Sequence, residues 1–315
     1  MHPRPLLASL PPVRPAAAPV PPGAAARATC LGLLLVLIGF AQPLWALATF
    51  ALSSDLYSYI LLIPVVSTYL AWQKRSRLPR PNPPARWLAS GLLFGGGAVL
   101  GAWLVLRGTG VVLAPEDRLA LTTTAFLLTF VGVIAWFLGR SVVAALAFPL
   151  GLLAFLVPLP IAAMTLVETG LQHGSAAVAR MLFDLSGTAV FYQDLHFQLP
   201  RILLRVAPEC SGIRSTMALI IVSLVAGYFF LRSPGRRAWL AFAVVPLALL
   251  RNGFRIFVIG KLCVAYGPQM IDSPLHHRGG PVFFALSLLP FFLLLFLLRR
   301  GERRAGSAPA LQPPV

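Results

Sequence analysis

Three short stretches of this 315-residue chain hold residues that could do chemistry together. The first is Ala207-Pro208-Glu209-Cys210-Ser211-Gly212-Ile213-Arg214-Ser215. Pro208 ends an extended run, and an apolar helix is expected to start near Cys210. A thiol at a helix N-terminus sees the positive end of the macrodipole, which favours the nucleophilic thiolate. Arg214, four residues on, would add positive potential on the same face. The second stretch is Arg251-Asn252-Gly253-Phe254-Arg255, inside an otherwise apolar segment. Guanidinium groups at membrane depth are costly to keep and mark function, whereas at a membrane edge they snorkel. For Arg251 both readings stand. Asn252 can hydrogen-bond a neighbouring helix. The third stretch is His276-His277-Arg278-Gly279-Gly280, where an imidazole can exchange protons near neutral pH. The two other thiols, Cys30 and Cys263, have no comparable setting and read as buried apolar side chains.

The elements that must position these groups are membrane helices. The chain is 58% hydrophobic and only 11% charged, too little polar surface to coat a water-soluble globule. In lipid the backbone must satisfy its own hydrogen bonds, and long continuous apolar runs select helices over barrel strands. The expected fold is all-α: a polytopic transmembrane helix bundle of about eight spans. These lie near 29–52, 55–73, 88–106, 119–138, 142–161, 211–231, 237–258 and 281–298. Residues 1–27, rich in Pro and Ala, read as a disordered tail, 28–300 as the membrane domain, and 301–315 as a second tail. The segment 162–209 is too polar to span throughout. Residues 163–184 have the spacing of an amphipathic helix lying on the outer surface, and 188–206 that of a short hairpin interrupted by Pro200.

The net charge of +17 belongs to residues flanking the spans, so a nucleic-acid partner is not indicated. The excess of Lys and Arg on alternate loops puts both termini in the cytoplasm and the Cys, Arg and His stretches at the outer face. Of the nine acidic residues only Glu302 then falls inside. Three cysteines without paired spacing describe neither a disulfide framework nor a zinc site, and no metal or organic cofactor is implied.

The order E-C-S-G-I-R-S, then N-x-x-R, then H-x-x-x-G before a last span resembles the exosortase/archaeosortase family of membrane cysteine transpeptidases. The likeness runs from about Leu159 to Leu298, and more loosely back to Asp55-Leu56-Tyr57-Ser58-Tyr59 and Pro64. The resemblance implies Cys210 as nucleophile, Arg255 as the family's arginine and His276 as its histidine. His277 is one residue off register, and the doubled histidine leaves that choice open. Arg205, Glu209, Arg214 and Asn252 are further candidates for substrate contact, Arg205 and Arg214 through the acidic residue of a Pro-Glu-Pro motif. Head-group contact is the competing reading for these arginines.

The family's substrates are secreted, membrane-anchored proteins with a C-terminal signal: a short motif, an apolar helix and a basic cluster. The resemblance also implies a surface acceptor, a polysaccharide or a lipid, and a bacterial inner-membrane location. The competing classes are a multispanning transporter and a non-catalytic scaffold for surface-polymer assembly. No internal repeat is evident, and no carboxylate lies within an expected span, which weighs against transport.

Overall fold

The computed structural model describes residues 22–80, 85–200, 202–207, 211–273 and 279–306. The chain divides into two compact units. One holds the chain up to Ala48 together with Leu61–Val157. The other holds Thr49–Ile60 and everything from Pro158 onward.

The first unit is built on a helical hairpin, α4 (Arg86–Gly108) and α5 (Pro115–Ala145). Helices in lipid gain little from hydrophobicity toward one another, so they associate where small residues let backbones approach. Gly96 is such a place: a methyl group there would lie 2.6 Å from Thr129 Oγ1 and 3.1 Å from the Ala125 carbonyl oxygen. Gly32 of α1 (Pro22–Gly39) does the same against Val133 and Phe137 of α5. Beyond Gly39, α2 (Ala41–Ser53) continues after a 65° bend. The short α3 (Leu62–Lys74) is tied to the region after α5 by two side chains. Lys74 Nζ donates to the Ala145 carbonyl at 2.7 Å, and Ser67 Oγ to that of Pro149 at 2.7 Å. Pro149 lies in α6 (Ala147–Leu152).

The second unit holds α7 (Ile161–Leu185), a small sheet, α8 (Ile213–Phe230), α9 (Pro234–Tyr266) and α10 (Gly280–Gly306). The sheet is an antiparallel meander of β1 (Phe191–Gln193), β2 (His196–Leu199) and β3 (Ile202–Arg205). Asp194 and Leu195, both at positive φ, make the first two-residue turn. Pro200 sits in the second turn, where its missing N–H costs the ladder nothing. The expected hairpin therefore carries a third strand.

The 33 residues of α9 make it about 50 Å long, against a hydrocarbon layer of roughly 30 Å. Its two halves accordingly have different partners. The N-terminal half packs Leu240 and Val244 with Leu219 and Ala226 of α8 and with Phe291 and Leu295 of α10. The C-terminal half packs Ile256, Ile259 and Cys263 with Ala179 and Phe183 of α7 and with Phe197 and Leu204 of the sheet. The amphipathic helix expected over 163–184 is α7, and it packs along α9. Gly174 meets Leu249, Gly253 meets Val178 and Gly260 meets Phe183, so the two helices run parallel. The buried face of α7 (Leu171, Gln172, Ser175, Ala176, Ala179, Phe183) holds three small residues, Ser175, Ala176 and Ala179, that let so close a neighbour approach.

A methyl group at Gly253 would lie 2.6 Å from Val178 Cβ and 2.9 Å from the Ser175 carbonyl oxygen. Backbone cannot give way as a flexible side chain can. Gly253→Leu is therefore expected to destabilise the second unit by about 2–3 kcal/mol or more, seen as a lower melting temperature in detergent. Gly97→Leu, which has open space, is the control.

Basic groups gather where α8 ends, α9 begins and α10 ends. Arg236 Nη1 donates to the Leu298 carbonyl at 2.7 Å, and Arg237 to that of Leu231 at 2.7 and 2.9 Å. The Glu302 carboxylate accepts from the backbone N–H groups of Arg232 and Ser233 at 2.8–3.2 Å and so caps the entry to α9.

Among the described residues, five helices are long and apolar enough to cross a membrane: α4, α5, α8, α9 and α10. The number is up to seven if each of two bent helix pairs counts as one span. The expected polytopic helical fold is present, and the chain is a multi-pass membrane protein. Three of the eight expected spans are realised as shorter pieces, 29–52 being divided between α1 and α2. Residues 55–73 hold a 3-10 turn and the 13-residue α3, while 142–161 holds the end of α5, α6 and a further turn. Two expected tails are partly helical. α1 takes in residues 22–27 and α10 residues 301–306, and the rest of both tails lies outside the described residues.

Candidate active site

The site is built in the second unit from the entrance to α8, the middle of α9, and β3. Gly212 caps α8 with φ 76° and ψ 14°, a left-handed conformation that favours glycine. The helix thus opens at Ile213, three residues after Cys210. A Cβ on Gly212 would also meet Asn252 Cγ at 3.1 Å and Arg251 Nη2 at 3.3 Å. The Gly212 carbonyl is held by several donors: Thr216 N at 3.0 Å, Thr216 Oγ1 at 2.8 Å, Ser215 Oγ at 3.0 Å and Arg251 Nη2 at 3.3 Å.

Arg251 is only 8% exposed and Asn252 3%. Arg251 therefore does not snorkel. It lies against the α8 entrance, with Nη2 also 3.4 Å from Thr216 Oγ1, while Nη1 has no hydrogen-bond partner among the described residues. After β3, Gln172 Nε2 of α7 donates to the Val206 carbonyl at 3.3 Å. The backbone is consequently fastened at Val206 and at Gly212.

Asn252 and Arg255 share a small cavity of about 30 Å³ with Arg205, Leu204, Ile256 and Ile259. Of the candidates, Arg205, Asn252 and Arg255 are thus brought together. Arg214 is not among them: it is exposed and pairs with Asp55 at 3.3 Å. Both side chains are well solvated, so the pair is worth about 0–1 kcal/mol. Glu209, Cys210, His276 and His277 lie outside the described residues. Cys263 is fully buried in the core between α7, α9 and the sheet, as its apolar reading requires. Cys30 differs from that reading, since it is exposed on α1.

Two residues of this arrangement, Gln172 and Arg251, have roles that the sequence leaves undecided. Gln172 was one polar residue among several on α7, and no spacing rule ties a helix residue to a strand end. Arg251 stood between two readings, and only the position of Gly212 decides between them. Asp55 and Tyr57 also belong to this unit. The Tyr57 hydroxyl lies 3.4 Å from the Leu159 carbonyl and 3.2 Å from Met164 Sδ, tying the 49–60 segment to the start of α7.

The family model of the transmembrane exosortases (EpsH) matches residues 49–293, most of the chain. The chain belongs to the transmembrane exosortase family. No curated protein and no solved structure matches it significantly. The match begins where the second unit begins, at Thr49, and spans the Cys210, Asn252–Arg255 and His276 stretches. Apart from Pro64, the exosortase-like residues noted in the sequence all belong to the second unit.

Proposed function

We propose that this exosortase is a membrane cysteine transpeptidase, or protease, acting on C-terminal sorting signals of the Pro-Glu-Pro type in secreted proteins. The observation that carries the reading is the buried Arg251–Asn252 pair against Gly212, two residues from Cys210, with Arg255 and Arg205 around the adjoining cavity. A fixed turn two residues along the chain from the expected nucleophile, with the Arg251 guanidinium at that turn, suits acyl transfer.

In this mechanism the Cys210 thiolate attacks the carbonyl carbon of the scissile peptide. Arg255 stabilises the oxyanion of the tetrahedral intermediate. His276 takes the thiol proton and returns it to the departing amine as the C–N bond breaks, leaving a thioester on Cys210. A nucleophile on a surface acceptor, polysaccharide or lipid, then attacks the thioester and releases the thiolate. Water in its place would give hydrolysis. The roles of Arg255 and His276 can be exchanged, with Arg255 lowering the thiol pKa and His276 holding substrate. Arg205 is the better placed arginine for an acidic motif residue, because it lines the cavity while Arg214 is engaged with Asp55. Glu209 is retained as a candidate substrate contact.

Supported by the basic cluster where α8, α9 and α10 meet, we assign that end to the cytoplasm and the active site to the periplasmic face of a bacterial inner membrane. The substrate's apolar helix would then lie beside the bundle with its basic tail inside.

Co-expression with a secreted protein bearing a Pro-Glu-Pro signal tests the reading. The expected result is a substrate shortened at its C-terminus, and an enzyme–substrate adduct that hydroxylamine cleaves, as it cleaves thioesters. Processing without any such adduct on a trapped, acceptor-starved enzyme would remove the thioester from the scheme. The histidine assignment gives its own result. His276→Gln is expected to lower the rate about 10²-fold or more and to remove one limb of the pH–rate profile, with His277→Gln close to wild type. An unchanged profile in His276→Gln would overturn the assignment.

A further inference from the structure

The first unit contains a cavity of about 470 Å³ that the chemistry at Cys210 does not use. It lies between α2 and the far end of the α4/α5 hairpin. Its polar lining is Gln42, Arg107, Arg118 and Thr122, and no acidic side chain is among the described lining residues. The two arginines come from different helices: Arg107 from the last turn of α4, Arg118 from the first turns of α5. Neither forms a salt bridge among the described residues, although Glu116 and Asp117 directly precede Arg118. The Arg107 guanidinium is held over the Trp103 ring, 5.6 Å from its centroid. The remaining wall is apolar, with Pro43, Ala46, Leu113 and Leu119. Val112, 95% exposed at the tip of the hairpin, also lines it, and Trp45, 73% exposed, lies on α2 between the lining residues Pro43 and Ala46.

We propose that this cavity binds the anionic phosphate head group of a membrane lipid. Two like charges bordering one cavity, with no acidic side chain among its described lining residues, call for an anion, and the guanidinium fork matches phosphate oxygens. The apolar wall and exposed aromatic beside it suit the glycerol and acyl portion of the same molecule. A volume near 470 Å³ is ample for a head group. The inference is independent of the reaction proposed for Cys210.

Native mass spectrometry of the full chain released from micelles tests it, with phosphatidylglycerol and phosphatidylcholine as probes. The wild type is expected to retain one phosphatidylglycerol that the doubly substituted Arg107→Gln, Arg118→Gln protein binds roughly thirtyfold more weakly, about fivefold for each arginine. Arg299→Gln with Arg300→Gln, in the basic cluster of α10, should not remove that lipid. Arg118→Lys keeps the charge and should keep most of the binding, which guards against a variant that merely misfolds. Competition by inorganic phosphate would support the phosphate chemistry and name a soluble anion as its source. Resistance to it would name the lipid. Equal retention of both lipids by the wild type would overturn the proposal. So would unchanged phosphatidylglycerol retention in the Arg107/Arg118 variant, or displacement by a glutamate-containing peptide but not by phosphate.

Discussion

Cys210→Ala is expected to abolish substrate processing, by on the order of 10³–10⁶-fold, at unchanged membrane abundance. Cys30→Ala and Cys263→Ala are expected to leave it within a few-fold of wild type. The contrast rests on where the other two thiols are. Cys263 is fully buried among Phe183, Phe197 and Ile259, where no peptide carbonyl can reach it. Its replacement removes one sulfur from a packed core and should cost about 1 kcal/mol of stability. Cys30 is exposed on α1, in the first unit, whereas Arg205, Asn252 and Arg255 all belong to the second. Substrate mass, measured for the three variants at matched expression, checks the prediction. Equal processing in Cys210→Ala would remove the thiol from the chemistry and turn attention to a scaffold role.

Arg255→Gln should lower kcat by about 10²–10³-fold while the protein keeps its melting temperature, the signature of losing a group that acts on the transition state. Arg251→Gln should separate from it. Arg251 is the more buried of the two and is spent on the Gly212 carbonyl and Thr216. Its loss removes a charge-assisted hydrogen bond worth about 1.5–3 kcal/mol, so the melting temperature should fall and activity should decline through a loosened turn. Arg251→Lys should restore part of the stability, whereas Arg255→Lys should restore little activity if the fork geometry matters. The measurement is kcat and thermal stability for all four variants. Full activity in Arg255→Gln would transfer the oxyanion role to another group.

Much of this architecture is legible in the residues, for local reasons. The long apolar runs ending in α8, α9 and α10 declare themselves because a membrane imposes its thickness on the sequence. The alternation through Phe191–Val206 declares strands, although the third strand depends on recognising that Pro200 turns the chain rather than ends the sheet. What is not legible depends on partners distant in sequence. The amphipathic pattern of α7 is equally suited to a membrane surface and to a neighbouring helix. That α7 has a helix neighbour is visible only once Gly174, Gly253 and Gly260 face Leu249, Val178 and Phe183. The apolar stretch at 237–258 ends too soon, because α9 continues to Tyr266 on the strength of its contacts with the sheet. In the same way, the family pattern singles out Asn252 and Arg255, but their grouping with Arg205 is a property of the folded unit.

The continuity of α9 makes the molecule a gauge. Arg251 is 17 residues along from Pro234, about 26 Å at the rise of a helix, and Arg255 is about 32 Å along. The distance from the Glu302-capped end to the site is therefore fixed by a count of residues, and it matches the thickness of one hydrocarbon layer. A polypeptide that stands as a helix beside α9, held by its own basic foot, would offer its bond at the right height only if its apolar stretch had a similar count. Selection among substrates would then rest on length as much as on the letters of a motif.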